Sequence, residues 1–331
     1  MDLDAFTAVH GATWDRLGRL ASRRDLSGAE ADELVRLYQE VATHLSTVRS
    51  AAPDPAVVAR LSDVLGRARA AIAGAHDPTL SDVARFFVLA LPAALYRVRW
   101  WTVAVMVAFV AVAVATGVHI ATDPAAQAAL GDPVDLERYA DEEFANYYSN
   151  NPPSSFSAMV WTNNAWIAAQ CVAFGITGVW PVMVLVQNAV GVGTAGGVLA
   201  AYGGLDVFLQ LIAPHGLLEL TAIFVAGGAG LRIFWTVIEP GARSRGQALA
   251  EEGRSLISVA LGLVAILAVS GLIEGFVTPS DLPWWLKIVI GAVALALFWV
   301  YTFVLGRRAV LAGETGDVRR EHAGDVLPTV G

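Results

Sequence analysis

Lysine is nearly missing from this chain: Lys287 is the only one. Charge of either sign is scarce, at 16 % of residues, where a soluble domain carries about a quarter. Hydrophobic residues make up 56 % of the 331, and the mean hydropathy is +0.55. That balance excludes an ordinary soluble protein and is the composition of an integral membrane protein. The net charge of −8 leaves no basic footprint for nucleic acid. A single cysteine, Cys171, excludes an intrachain disulfide and a thiolate metal cluster. The opening MDLDAFTAVH is acidic and lacks the apolar core of a secretion signal. Arginine supplies the cations, and together with the Ala, Val and Gly usage it fits a GC-rich bacterial genome.

What is present divides into two compositions. Residues 1–79 have balanced charge and apolar residues at helical spacing. One run is Leu3, Phe6, Trp14, Leu17 and Leu20; a second is Leu34, Leu37, Val41, Leu45 and Val48; a third is Val58, Leu61 and Leu65. Ser27 and Glu30 have capping-box spacing, Asp54 precedes Pro55 as a helix start, and Thr79 and Asp82 repeat the capping spacing. The expectation is a cytoplasmic domain of three amphipathic helices. Residues 80–97, interrupted by Pro92, read as an interfacial helix ending in Arg97, Arg99, Trp100 and Trp101.

Residues 98–311 then hold apolar stretches of membrane-crossing length, which predict about six transmembrane helices near 101–121, 158–177, 180–202, 205–236, 255–277 and 284–305. The fourth is expected to break near Pro214. An acidic loop, 122–157, carries seven carboxylates against Arg138 and reads as extracytoplasmic. Arginines at 97, 99, 243, 245, 254, 307 and 308 fall on one side of this arrangement, which puts both termini in the cytoplasm of a multi-pass inner-membrane protein. Residues 312–331 read as a flexible polar tail. The fold class is therefore all-α and polytopic.

Polar groups inside spans cost about 2.5 to 3.5 kcal/mol for a central charge, so they are the informative residues. His215 and Glu219 lie four apart on one helix face, in IAPHGLLEL. Asn163, Asn164, Asn188 and Glu274 complete the expected intramembrane polar cluster. Small residues Gly191, Gly193, Gly227, Gly228 and Gly230 form surfaces for close helix packing, within the bundle or in a homodimer. Three roles compete for His215 and Glu219: a structural network with the asparagines, a proton or ion relay with Glu274, and two ligands of a metal site. No HExxH or cysteine set completes a metal site, so no metal and no cofactor is expected, and no nucleophile–base–orienter set marks an enzyme.

The stretches NNAWIA (163–168), LVQNAVGVG (185–193) and PHGLLELTAIFVAGGAGLRI (214–233) resemble the stage II sporulation protein M family, over about residues 100–305. That resemblance places Asn163, Asn164, Asn188, Pro214, His215, Gly216, Glu219, Gly227, Gly228 and Gly230 in the family signature. It implies a non-enzymatic membrane scaffold that positions cytoplasmic and cell-envelope, peptidoglycan-remodelling partners. The alternative from the residues themselves is a transporter or channel using His215 and Glu219.

Overall fold

The computed structural model describes residues 3–23, 26–51, 53–72, 80–149 and 153–317. Thr79 of one expected cap, residues 150–152 of the loop and the tail beyond Asp317 lie outside the described residues. The chain divides into two compact units, one reaching Ser81 and one spanning Asp82–Asp317. Among the described residues there is no strand.

The N-terminal unit is three helices, α1 (Leu3–Ala21), α2 (Gly28–Ala51) and α3 (Pro55–Ile72). Their apolar faces close on Trp14, Leu17, Leu34, Val41, Val48 and Leu61, each at most 4 % exposed. Two starts follow the expected chemistry. Ser27 and Glu30 cap each other's backbone N–H groups, and Asp54 accepts from the N–H groups of Ala56 and Val57. A buried polar contact sits in this core: Trp14 Nε1 donates to His44 Nδ1 over 3.2 Å. Burial, and secondarily the His10 ring beside it, holds the His44 imidazole below its usual pKa.

The second unit is a bundle of six long helices: α4 (Asp82–Thr122), α5 (Pro153–Ala173), α6 (Val179–Ala201), α7 (Leu205–Ile238), α8 (Arg245–Val277) and α9 (Trp284–Leu311). Five of them, α4 and α6 to α9, are long and apolar enough to cross a membrane. The remaining helix, α5, carries Asn163, Asn164 and Gln170. It nevertheless runs the depth of the bundle, touching Ile273–Val277 of α8 and ending against Gly230 of α7. Successive helices alternate in direction. Gly197 of α6 meets the late part of α4 at Gly117 and Ile120, Ser270 near the end of α8 meets His215 early in α7, and Gly306 late in α9 meets Pro92 early in α4.

The structure corrects four expectations. The interfacial helix 80–97 is not separate: helix continues through a π-turn at Phe86–Ala90 into Leu91–Thr122. Leu91, Ala93, Ala94 and Leu95 are buried in the bundle, with Leu91 against Gly262. The π-turn is why Pro92 breaks nothing. Leu91 N–H bonds back to Phe86 O, which orphans the Phe87 carbonyl, and Tyr301 Oη donates to that oxygen over 2.5 Å. Likewise, α7 runs unbroken through Pro214, so there is no re-entrant segment. Only the Gln210 carbonyl loses its α-helical partner to the proline, a loss that packed membrane helices tolerate.

The flexible tail does not begin at 312. Residues 312–317 are held by arginines: Arg85 pairs with Glu314, Arg97 donates to the Thr315 carbonyl, and Arg254 pairs with Asp317. Gly316, at φ 74°, packs on Ala94. The segment expected as an acidic loop is itself largely helical. Asp123 and Asp132 cap short helices Pro124–Leu130 and Pro133–Arg138, and Ala140 and Phe144 pack on Leu199 and Phe208 at the adjacent end of the bundle.

Candidate functional site

His215 directly follows Pro214 inside α7, and Glu219 lies about one turn further on. Both are buried, at 4 % and 8 % exposure. Their partners come from the end of α8. There the helix widens into a π-turn, Ile273–Val277, closed by Thr278 N–H on Ile273 O at 3.0 Å. The widening sets Glu274, at 2 % exposure, and Thr278 beside α7.

Around the imidazole, His215 Nε2 lies 3.5 Å from Glu274 Oε1, and Nδ1 lies 3.3 Å from Thr278 Oγ1. The Ser270 hydroxyl donates to the His215 carbonyl over 3.0 Å. Lys287 Nζ donates to the Thr278 carbonyl over 2.7 Å, fixing that corner from α9. One donor atom from each of His215, Glu219 and Glu274 lies within 4.8 Å of the others. The second oxygen of Glu274 is buried with no hydrogen-bond partner.

The structure therefore brings together three of the expected residues and separates the rest. Asn163 is exposed, Asn164 Nδ2 donates to Val160 O within its own helix, and Asn188 Nδ2 is buried with no hydrogen-bond partner. The asparagine network around His215 is not formed. Ser270 and Thr278 were legible in principle, since they flank Glu274 at four residues on each side.

The glycines place the helices that carry the cluster. A Cβ at Gly228 would stand 2.7 Å from Thr102 N of α4, and one at Gly227 the same distance from Leu185 of α6. Gly230 lies against the Cys171 carbonyl of α5. The main glycine contact of α6 is with α4, not α7: Gly193 fits against Ala113 and Thr116. Gly191 has nothing within 4 Å of a built Cβ, so it makes no close helix contact among the described residues of this chain.

A second buried polar centre ties the arginine-rich end. Glu252 of α8, 5 % exposed, receives Arg232 in a fork at 2.9 Å and Arg97 on the same carboxylate. Arg232 also donates to the Arg97 carbonyl. Glu252 was not legible as a partner because the sequence places it before the apolar run of span five. In the structure α8 begins earlier, at Arg245, behind a Ser244–Gln247 capping box.

Comparison with known proteins agrees with this architecture. Residues 4–74 match a domain of unknown function (DUF8413). An uncharacterized protein of Methanocaldococcus jannaschii, MJ0793, is 26 % identical over 151 residues, covering 44 % of this chain and 82 % of that protein. No solved structure matches the chain. Residues 102–279, from the Gly228 contact on α4 through Thr278 of the cluster, match the stage II sporulation protein M family; the chain is a membrane protein of that family.

Proposed function

We propose that this protein is a non-enzymatic scaffold in the cytoplasmic membrane. Its N-terminal helical unit would recruit a cytoplasmic partner. The acidic loop 122–157 would meet a peptidoglycan-remodelling partner in the envelope. Both termini face the cytoplasm, which the arginines at the common end of the bundle and the six alternating helices support.

The observation that carries the reading is how the intramembrane ionisable groups are held. His215, Glu219, Glu274 and Glu252 are between 2 % and 8 % exposed; His215 meets Glu274 between α7 and α8, and Glu252 ties α8 to α4 and α7. Groups so placed set which helices meet and in what register. The transport alternative uses His215 and Glu219 as an ion or proton site; an unbroken α7 gives that site no helix N-terminus pointing at it.

The test is photo-crosslinking in cells. A crosslinking residue at Glu137 of the loop, or at exposed Val35 of α2, is expected to give adducts with peptidoglycan-remodelling proteins and with a cytoplasmic protein respectively. Deleting residues 3–72 should abolish the second adduct and leave the first. Adducts only with lipid, or unchanged envelope-enzyme localisation in cells lacking the whole chain, would overturn the scaffold.

A further inference from the structure

We propose that His215, Glu219 and Glu274 bind one first-row divalent cation of the zinc type within the membrane. The donors are Nε2 of His215, one oxygen of Glu219 and both oxygens of Glu274.

Three independent features point there. The first is convergence: one donor from each residue lies within 4.8 Å of the others, and the His215–Glu274 pair is at 3.5 Å. Zinc holds nitrogen and oxygen ligands at about 2.0 to 2.2 Å, so tetrahedral donors stand about 3.4 Å apart. At the 4.8 Å limit a pair needs to close by about 1.4 Å, within reach of side-chain torsions.

The second is tautomer. Thr278 Oγ1 lies 3.3 Å from His215 Nδ1 and 3.5 Å from the Ile273 carbonyl, so it can donate to the carbonyl and accept from Nδ1–H. In that tautomer the Nε2 lone pair faces the Glu274 carboxylate, 3.5 Å away, where a cation would sit between them. An outer hydroxyl or carbonyl fixing the far ring nitrogen is the usual support of a metal-bound histidine. The third is the orphan. Glu274 Oε2 is buried with no hydrogen-bond partner, on a residue 2 % exposed, and a bidentate carboxylate would use it.

Charge and donor type select the ion. Two carboxylates and a neutral imidazole balance a dication to zero, which a membrane interior favours. An imidazole with few oxygens suits zinc, iron or cobalt better than calcium or magnesium, which require six or more oxygens. The ion would clamp α7 to the π-turn of α8, so the site is compatible with a scaffold and does not depend on one.

The experiment uses the full chain in detergent, stripped with chelator, loaded with Zn²⁺ alone, desalted, and measured for metal content. The wild type should retain about one zinc per chain. Glu274→Gln and His215→Asn should each lose at least tenfold, and Glu239→Gln, at an exposed position, should retain it. Thr278→Val should weaken retention by about 10- to 100-fold. Co²⁺ loading of the wild type alone gives a second readout that does not depend on any variant folding. It should produce the visible bands of a four-coordinate nitrogen–oxygen site. Wild-type protein with neither zinc nor cobalt bands, or retention unchanged in Glu274→Gln, would overturn the site and leave protons to balance the cluster.

Discussion

Gly228 and Gly191 are both glycines in membrane helices, and the structure assigns them opposite consequences. A methyl at Gly228 would stand 2.7 Å from a backbone nitrogen of α4 and cannot be relieved by a side-chain turn. Gly228→Ala should destabilise the bundle by about 1 to 3 kcal/mol, the cost of overpacking. At Gly191 the same substitution meets open space, and the better helix propensity of alanine should leave stability unchanged or raise it by about 0.5 to 1 kcal/mol. Thermal unfolding of the two variants in detergent checks the difference in sign. Both residues fall in the stretches that carry the family resemblance and both were expected to pack helices; which neighbour faces a glycine is a property of the packed bundle and is not written in the sequence. His44 gives a second residue-scale test. Its folded pKa lies below 6.5, so the unfolded chain takes up a proton that the folded chain resists. The stability of the N-terminal unit should therefore be fully present above about pH 6.5 and decline as pH falls below it. His44→Gln should flatten that decline in pH-dependent melting, and a profile identical to wild type would remove His44 as its source.

At the scale of elements, ion pairs and π-turns decide how the helices meet. Glu252 joins α4, α7 and α8 by pairing with Arg97 and Arg232 on one carboxylate. Removing one partner of a buried ion set leaves the others uncompensated, typically at about 3 to 5 kcal/mol. Arg97 and Arg232 retain 20 % and 19 % side-chain exposure, so Glu252→Gln should fall at the lower end of that range. Chemical denaturation of the variant checks it, and replacing both arginines as well should recover part of the loss. Helix existence and order were legible from apolar run length and capping residues. The π-turns were not, because a one-residue slip in hydrogen bonding leaves no compositional mark. Those slips are what keep Pro92 inside a helix and bring Glu274 to His215. The same limit explains why an interfacial helix was expected at 80–97: proline and arginine there look like a boundary until Tyr301, some two hundred residues on, is seen capping the Phe87 carbonyl.

For the whole molecule, the division at Ser81 and Asp82 implies a separable N-terminal unit. Residues 1–81 should unfold cooperatively on their own, because Trp14, Leu17, Val41 and Leu61 form a core within that unit. Circular dichroism of the fragment checks it, and a non-cooperative melt would contradict a self-sufficient core. The membrane unit carries the larger claim, that its buried ionisable groups hold helices and do not pass ions. Proton and cation flux in vesicles reconstituted with wild type and with Glu219→Gln tests that claim most directly. A scaffold gives no flux above empty vesicles in either, with Glu219→Gln lowering the melting temperature. A wild-type flux that disappears in a folded Glu219→Gln protein would contradict it and make the cluster a transport site.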